Sequence, residues 1–304
     1  MARLVNLVVA ILALCVAPLG TMTARAAFPG QNGRIAYATI PAGGARVVKT
    51  ISGDGSDIQI VASDALHPDW SPDGTKIAFT RVTRRRACSV QISNPDGSGV
   101  RNLTGVRSGC EHNPTFTPDG RRIVFLKGDT LMSMDLQGQH RRQIASRPSS
   151  LIHVSDPSVS PDGTTIAFQG VKARSLRALF TIRMDGTQLR QLTSFKLNVG
   201  TRIDWAPSGG RLIFTEYKNH GPGNTAVVRP DGSGLVILTH YRAGVGASGA
   251  VFSPDGRSIV FRRADSATGK AAIWRMRRDG SAPTVLRRLP ETFCCLDWGT
   301  SQSG

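Results

Sequence analysis

The sequence predicts an all-β fold: a single six-bladed β-propeller of four-stranded blades, with the first blade closed by the C-terminal strand. Three observations predict it, namely a recurring turn motif, an apolar strand after each turn, and incomplete repeats at the two chain ends. The motif is Pro-Asp-Gly, which starts at Pro72, Pro118, Pro161 and Pro254, with Pro207-Ser208-Gly209 in the one gap. Successive turns are 43 to 47 residues apart, about the length of one four-stranded blade.

Each of these turns joins the first strand of a repeat to its second strand. In Ser71-Pro72-Asp73-Gly74, proline fixes φ at the second position of a type I turn, and glycine follows at the fourth. An unbroken apolar triplet comes next, and such a run predicts a strand that is buried on both faces. The triplets are Ile77-Ala78-Phe79, Ile123-Val124-Phe125, Ile166-Ala167-Phe168, Leu212-Ile213-Phe214 and Ile259-Val260-Phe261.

A second turn, usually Asp-Gly, separates the third strand of each repeat from the fourth. It occurs six times, for example at Asp54-Gly55 and Asp185-Gly186. Because four strands recur with no helical periodicity between them, the pattern excludes an α/β fold.

The two ends of the chain complete each other. The first repeat starts at Asn32-Gly33 without a first strand, whereas Cys295 to Gly299 is a first strand without the rest of its repeat. Joining them makes one blade and removes the open sheet edges of a linear array. We therefore predict a propeller over 27–304, with blade 1 formed by 33–63 plus 294–299. The other predicted blades are 67–105, 112–146, 155–193, 202–239 and 249–289.

Residues 1–26 are predicted to be a secretory signal peptide. Arg3 precedes an apolar run over 4–19, and Ala24-Arg25-Ala26 provides a cleavage site. The alternative is an uncleaved N-terminal anchor. The interpretation places the protein outside the cytoplasm, secreted, periplasmic or on the exterior of the cell envelope, with no transmembrane segment after signal removal.

The chain is strongly basic. It has 38 Lys+Arg against 21 Asp+Glu, a formal net charge of +17. A basic surface attracts anionic polymers such as cell-wall glycans or lipid headgroups. A GC-rich genome would also enrich arginine, although it does not account for the scarcity of acidic residues. No nucleic-acid motif accompanies the charge, and secretion argues against a nucleic-acid partner.

The segment Trp70-Ser71-Pro72-Asp73-Gly74-Thr75-Lys76-Ile77-Ala78-Phe79 resembles the repeat of TolB-like, WD40-like β-propellers. The resemblance covers nearly the whole mature chain and implies the fold. It implies no single function, because this repeat occurs in translocation-complex proteins, peptidase propeller domains and polysaccharide lyases. The sequence has no G-x-S-x-G nucleophile elbow, and we expect neither an appended hydrolase domain nor the extra N-terminal domain of TolB.

Polar residues recur at two positions of the first strands, which run nearest the channel. Strand alternation is expected to place both rows on one side. Converging carboxylates and imidazoles can bind a hard cation such as Ca²⁺ or a polar ligand, whereas the alternative is that they only solvate the channel. No cation-loop motif accompanies them, so we expect no cofactor other than this candidate Ca²⁺. The candidate ligand-binding residues are His67, Asp69, His112, Asp156, Asp204 and Asp297, with Glu111 and His153 on adjacent loops.

Four cysteines follow the signal peptide, and they allow three pairings. In a four-stranded meander, the turn between strands two and three lies on the same face as the connection to the next blade. Cys88 sits at the first position and Cys110 at the second, so we predict a Cys88–Cys110 disulfide, worth about 2–4 kcal/mol. Cys294 and Cys295 then either form a vicinal disulfide or stay free and buried.

Arginine clusters lie on the channel-mouth face, on which the first strand of each blade begins. They are Arg84-Arg85-Arg86 after the second strand of blade 2, and Arg262-Arg263 in blade 6. We expect either an anion-binding rim or ordinary solvated charge that blocks sheet-to-sheet aggregation.

The sequence carries no catalytic signature. We predict a monomeric, non-catalytic binding or scaffold propeller that contacts a protein or an anionic envelope polymer through its channel-mouth face. The alternative is a carbohydrate-active lyase or hydrolase with its site in the channel mouth.

Overall fold

Six antiparallel sheets are arranged as blades around a central channel. The structure is a computed structural model that describes residues 29–40, 44–83, 87–105, 109–217 and 221–301. Within these ranges it has 24 strands in six four-stranded sheets, which confirms the predicted fold class. The predicted signal peptide lies outside the described residues.

In each of the first three blades, the strands follow one another from the channel outward. Blade 1 consists of β24 (Phe293–Thr300), β1 (Asn32–Thr39), β2 (Val47–Ile51) and β3 (Ile58–Ser63). Blade 2 consists of β4 (Ala65–Trp70), β5 (Ile77–Val82), β6 (Cys88–Ser93) and β7 (Arg101–Asn102). Blade 3 consists of β8 (Glu111–Phe116), β9 (Arg122–Lys127), β10 (Thr130–Asp135) and β11 (Arg142–Ala145).

The remaining three blades have the same order. Blade 4 consists of β12 (His153–Val159), β13 (Thr165–Val171), β14 (Arg177–Arg183) and β15 (Arg190–Gln191). Blade 5 consists of β16 (Asp204–Trp205), β17 (Leu212–Glu216), β18 (Asn224–Val228) and β19 (Val236–Ile237). Blade 6 consists of β20 (Val245–Phe252), β21 (Ser258–Asp265), β22 (Ala271–Arg277) and β23 (Thr284–Leu289). Short 3₁₀ turns cover Ala173–Ser175 and Phe195–Leu197.

The apolar core is divided among the gaps between blades. The second strands are buried as predicted: Ile77, Ala78 and Phe79 on β5 are each 0% exposed, and the four other triplets are 0–2% exposed. The buried apolar residues of the described chain form six clusters, and each cluster draws on two adjacent blades. A blade therefore has no apolar core of its own, and its burial depends on both neighbours.

The Pro-Asp-Gly turns lie on the face opposite the channel mouth, here called the turn face. In four of them, the hydroxyl before proline donates to the aspartate Oδ1 at 2.5–2.6 Å. Glycine is required because its φ is positive, as in Gly120 at +67°, where an added Cβ would also lie 3.6 Å from Pro72 Cδ of the preceding turn. The turns therefore pack against one another around the ring.

The ring closes where β24 pairs antiparallel with β1 in blade 1. The Trp298 indole donates to the Gly33 carbonyl at 3.1 Å, and the Thr300 hydroxyl donates to the Pro72 carbonyl of blade 2 at 2.9 Å. At Gly299, an added Cβ would lie 2.5 Å from Trp70 Cγ, so the closing strand lies directly against the blade 2 core. This strand thus connects β1 to the next blade.

The described part of the chain contains no helix that is both long and apolar enough to span a membrane.

Removal of residues 295–304 should abolish cooperative folding. The deletion leaves β1 without its inner neighbour and removes Leu296 and Trp298 from the core between blades 6 and 1. Burial of such side chains contributes about 2–3 kcal/mol each, against a total stability of about 5–15 kcal/mol for a typical domain. Thermal unfolding followed by circular dichroism measures the effect. A matched control that lacks only residues 302–304 should melt like the full chain, and a 295–304 deletion that did so would contradict ring closure by β24.

Candidate binding site in the channel and at its mouth

The innermost strand of each blade carries one residue in the left-handed conformation at an equivalent position. The register with the second strand shifts around this position in five blades, and in blade 5 the strand begins after it. The prediction that both polar rows lie on one side of the strand assumed simple alternation of side chains. Such alternation does not apply across these bulges. The six residues are His67, Asn113, Asp156, Arg202, Gly249 and Cys295, with φ between 51° and 65°.

Three aspartates on the innermost strands each tie their own blade to the following one. Each uses Oδ2 to accept a hydrogen bond from a backbone N–H of the following blade. The pairs are Asp69 with Phe116, Asp204 with Phe252 and Asp297 with Trp70, at 2.9, 2.8 and 2.7 Å. Together with the innermost strands and the turns, these carboxylates line a cavity of about 40 Å³. Asp69, Asp204 and Asp297 thus line the channel and also join adjacent blades, and their predicted role in ligand binding stays a prediction.

Arg202 supplies positive charge to this carboxylate group. Its Nη2 lies 2.7 Å from Asp297 Oδ1 and 3.9 Å from Asp69 Oδ1. Its Nε is buried and has no hydrogen-bond partner among the described residues. Arg202 is not among the candidate residues predicted from the sequence, although one cation among three acids on the innermost strands is a signal for such a pairing.

Burial shifts the protonation of the channel carboxyls. It raises the pKa of Asp204 to about 7, with repulsion from Asp297 adding to the shift and Arg202 opposing it. Burial also raises the pKa of Asp69 and of Asp297, and Arg202 opposes the shift in both. The channel therefore holds fewer negative charges than its carboxyl count implies.

His67 is partly buried, and its imidazole is neutral at physiological pH. Burial lowers its pKa to about 4, against the opposing charge of Asp156 and with support from His112 and Arg202. Its Nδ1 has no hydrogen-bond partner among the described residues. The imidazole therefore has one buried nitrogen whose hydrogen-bonding capacity no described residue uses.

Two other candidate residues, His112 and Asp156, are linked to each other through Asn113. His112 Nδ1 lies 2.5 Å from Asn113 Oδ1, and Asn113 Nδ2 donates to Asp156 Oδ1 at 3.1 Å. Glu111 and His153, which were predicted on loops, are instead the first residues of β8 and β12. Both have other partners: Glu111 forms a bidentate pair with Arg141 at 3.1 and 3.2 Å, and His153 pairs with Asp129. Neither points to a shared site with His67.

No group of three or more His, Cys, Asp or Glu side chains within the described ranges is arranged to hold a metal ion. In the channel, Arg202 lies where the carboxylates converge. Binding of Ca²⁺ in the channel stays a prediction.

At the mouth, Arg262 and Arg263 of β21 are held against aromatic rings. Successive strand residues point to opposite faces of the sheet, so the two arginines face different neighbours. Arg262 lies over Phe293 of blade 1, with its guanidinium carbon 5.7 Å from the ring centroid. Arg263 lies over Trp274 at 4.5 Å and over Tyr241 at 5.3 Å. Both Nε atoms are buried without a partner, and neither guanidinium pairs with a carboxylate of the described chain.

This aromatic support was not found from the sequence. Tyr241 lies in the connection between blades 5 and 6, whereas Arg263 is on β21, and only blade packing brings them together. Each contact is a cation–π interaction, which orients the guanidinium without neutralising it. The other predicted rim residues, Arg84, Arg85 and Arg86, lie outside the described residues.

Both cysteine pairs are disulfide-bonded. Cys88 and Cys110 are joined on the channel-mouth face with their Cα atoms 4.3 Å apart, so the structure contains the predicted disulfide. Cys294 and Cys295 form a vicinal disulfide, which answers the question that the sequence left open. Cys295 is also the blade 1 member of the six innermost-strand residues in the left-handed conformation, a group that includes His67.

The fold and its polar channel define a closed six-bladed propeller. The family model of the TolB β-propeller domain matches residues 22–298, so the chain belongs to this family. A TolB homologue from Chlorobium luteolum is 30% identical over 232 residues, which cover 73% of this chain and 50% of that protein. The chain thus spans half the length of this curated relative.

Two solved structures show the fold at low sequence identity. TolB from Acinetobacter baumannii superposes with a TM-score of 0.74 at 19% identity, covering 88% of this chain and 67% of that one. An oligogalacturonate lyase in complex with manganese superposes with a TM-score of 0.56 at 12% identity, covering 86% and 75%. At these identities the likeness concerns the fold alone.

Asparagine at position 204 should change how stability depends on pH. The folded-state pKa of Asp204, about 7, lies above the unfolded value of about 3.9. Its stabilising contribution is therefore complete below about pH 4 and is lost as the pH rises through about 7. Relative to Asp204→Asn, the natural protein should lose roughly 2 kcal/mol of unfolding free energy between pH 5 and pH 8. The asparagine Oδ1 can still accept from the Phe252 N–H.

Urea unfolding at the two pH values measures this difference. Asp185→Asn is the control, because hydrogen bonds from the Thr187 hydroxyl and N–H lower the pKa of that exposed carboxyl. Because this carboxyl is ionised in both the folded and the unfolded chain between pH 5 and pH 8, Asp185→Asn should leave the pH dependence of stability unchanged in that window. Parallel stability profiles for the natural protein and Asp204→Asn would refute the role assigned to burial.

Proposed function

We propose that this protein is a non-catalytic binding propeller outside the cytoplasm, whose channel-mouth face binds an anionic ligand. The ligand is either an acidic segment of a protein or an anionic polymer of the cell envelope. The observation that carries the proposal is the pair Arg262 and Arg263, two cations that aromatic rings hold in place and no described carboxylate neutralises.

The geometry of this pair suits recognition of a ligand charge. A guanidinium that is stacked on rings has lost much of its conformational freedom before a ligand arrives, so less entropy is lost on binding. Arg262 and Arg263 lie on the two faces of blade 6, facing blade 1 and blade 5 respectively. A ligand that engages both must therefore lie across the edge of blade 6.

The channel below offers polar contacts for the same ligand. His67 Nδ1 and Arg202 Nε are both buried without a partner, so a ligand reaches them only when the channel side chains shift. Because Arg202 already binds Asp297, it contributes position more than free charge. We assign the main electrostatic contribution to the rim and hydrogen bonding to the channel.

The proposed location rests on the Cys88–Cys110 disulfide and on the signal-like N-terminal sequence. Disulfides persist in oxidising compartments, and the cytosol reduces most of them. The disulfide joins blade 2 to the start of blade 3 on the channel-mouth face. The disulfide therefore constrains loops of the proposed binding surface. It would persist in the oxidising compartment where we propose that the ligand is bound.

Replacement of Arg262 and Arg263 by glutamine should weaken anion binding about tenfold, since two partly exposed charge contacts are worth about 1–2 kcal/mol together. Glutamine keeps part of the aliphatic stem against the rings. The probes are fluorescein-labelled polyglutamate and polygalacturonate, followed by fluorescence anisotropy at several salt concentrations. The double variant should also show a weaker salt dependence.

Glutamines at Arg287 and Arg288 provide the control, because these exposed residues lie on β23 of the same blade and the net charge changes equally. Equal loss in both double variants would show that only overall charge matters and would contradict the rim. Polygalacturonate also tests the enzymatic alternative: unsaturated or shortened products would overturn the non-catalytic proposal.

A further inference from the structure

A disulfide between two adjacent residues lies in the closing strand, close to the channel mouth. Cys294 and Cys295 are bonded to each other, and both are partly exposed, whereas Phe293 and Leu296 on either side of them are buried. Because β24 begins at the mouth, a molecule that enters from that side can reach this pair. The anion binding proposed above uses neither sulfur.

The Cys294–Cys295 bond constrains the chain much less than the other disulfide does. It spans one peptide bond, whereas Cys88 and Cys110 are 22 residues apart in sequence. In the chain-entropy account, a disulfide stabilises a fold by closing a loop in the unfolded chain, and a longer loop gives more stabilisation. The coupling is reciprocal. The fold therefore protects Cys88–Cys110 against reduction and gives Cys294–Cys295 little such protection.

Adjacency also limits the geometry of the Cys294–Cys295 bond. A peptide bond holds the Cα atoms of adjacent residues about 3.8 Å apart, whereas a relaxed disulfide usually spans about 4.4–6.8 Å between Cα atoms. A disulfide that is constrained in this way is easier to reduce. Cys88 and Cys110 lie on different elements and are free of this limit.

The backbone of the closing strand does not depend on the Cys294–Cys295 bond. Cys295 has a φ of 62°, and the equivalent residues His67 and Arg202 have φ values of 51° and 65° without any disulfide. The architecture of the innermost strands therefore sets this conformation. Ring closure uses other groups of β24, namely its pairing with β1 and the buried side chains of Leu296 and Trp298. Reduction can thus open the bond while β24 stays in place.

The channel wall is open beside Cys295. Blade 6 is the neighbour of blade 1 in the ring, and its equivalent residue is Gly249, which has no side chain. Apart from its neighbours in sequence, a Cβ added at Gly249 would meet no heavy atom of the described chain within 4 Å. A thiol that enters from the mouth therefore has space next to the pair.

Positive charge at this end of β24 favours thiol–disulfide exchange. Arg262 lies over the ring of Phe293, the residue before the pair, and forms no ion pair with a carboxylate of the described chain. The carboxylate nearest in sequence belongs to Asp297, which is paired with Arg202 at 2.7 Å. A cation beside a cysteine stabilises its thiolate, and a stabilised thiolate is the better leaving group.

We propose that Cys294–Cys295 is a redox-active pair that exchanges with an external dithiol, whereas Cys88–Cys110 is a structural disulfide. A thiolate of the donor attacks one sulfur of the pair, the Cys294–Cys295 bond breaks, and the other cysteine leaves as a thiolate. The second donor thiol then attacks the mixed disulfide. The pair gains two electrons and two protons and ends as two thiols, and the donor ends as a disulfide. This activity does not depend on the anion binding proposed for the mouth.

Equilibration of the full chain in buffers of reduced and oxidised dithiothreitol tests the proposal. After acid quenching and alkylation, mass spectrometry measures the reduced fraction of each pair, and circular dichroism follows the fold. Cys294–Cys295 should be half reduced at a reduced-to-oxidised ratio at least about tenfold lower than Cys88–Cys110, the control in the same molecule, while the fold is retained. Reduction of Cys88–Cys110 first or at the same ratio, or reduction of Cys294–Cys295 only on unfolding, would overturn the proposal.

Serine variants test separately which bond is structural. Cys294→Ser with Cys295→Ser should melt within about 2 °C of the natural protein, whereas Cys88→Ser with Cys110→Ser should melt roughly 5–10 °C lower. A comparable loss of melting temperature in both double variants would make the adjacent pair structural and would contradict its assigned role.

The route of the donor is tested by the rate of reduction with excess dithiothreitol. Gly249→Asn introduces the residue type that blade 3 has at Asn113, in the same left-handed conformation. It should slow reduction of Cys294–Cys295 at least about threefold, because exchange depends on access to the sulfur. Gly269→Asn is the matched control, since Gly269 also has a positive φ and open space but lies in the connection between β21 and β22. Equal rates in Gly249→Asn and the natural protein, or equal slowing in the control, would refute this route.

Discussion

The antiparallel pairing of β24 with β1 is the interaction on which the rest of the structure depends. All six apolar clusters of the described chain lie between adjacent blades, so every blade needs two neighbours to bury its sheet faces. The innermost position of blade 1 is filled by the strand most distant from it in sequence. The entropy of closing this long loop is offset by the burial of Leu296, Trp298 and their surroundings in the core between blades 6 and 1.

The channel is stabilised by the same carboxylates that make it polar. Asp69, Asp204 and Asp297 each bond a backbone N–H of the following blade, and Arg202 offsets part of their charge. Burial opposes ionisation of these groups, so the interactions that hold the blades together also shift the carboxyl pKa values. The rim arginines have no such structural partner, which is why we place ligand charge recognition at the mouth.

Much of this architecture follows from the sequence because the repeat is explicit. The apolar triplets, the Pro-Asp-Gly turns and the split first blade fix the blade number, and the meander topology brings Cys88 to Cys110. The left-handed residues of the innermost strands could not be predicted, since His67, Asp156 and Arg202 share no residue type that demands a positive φ.

Side-chain contacts between blades could not be predicted from the sequence either. Arg263 meets Tyr241 because of how blade 6 packs against the preceding connection, and no spacing rule describes that packing. The departure at Ser208 was visible as a gap in the repeat. The two cavities beside this turn are lined also by residues of blades 4 and 6, which the gap in the repeat does not reveal.

Native-state hydrogen exchange gives the most direct test of the account, because it reports the free energy at which each strand opens. If ring closure holds the fold together, amides of β1 and β24 will exchange only through global unfolding, at the same free energy as those of β9 and β13. Exchange of β24 at a clearly lower free energy, with the other five blades still protected, would contradict the claim that the structure depends on this closing strand.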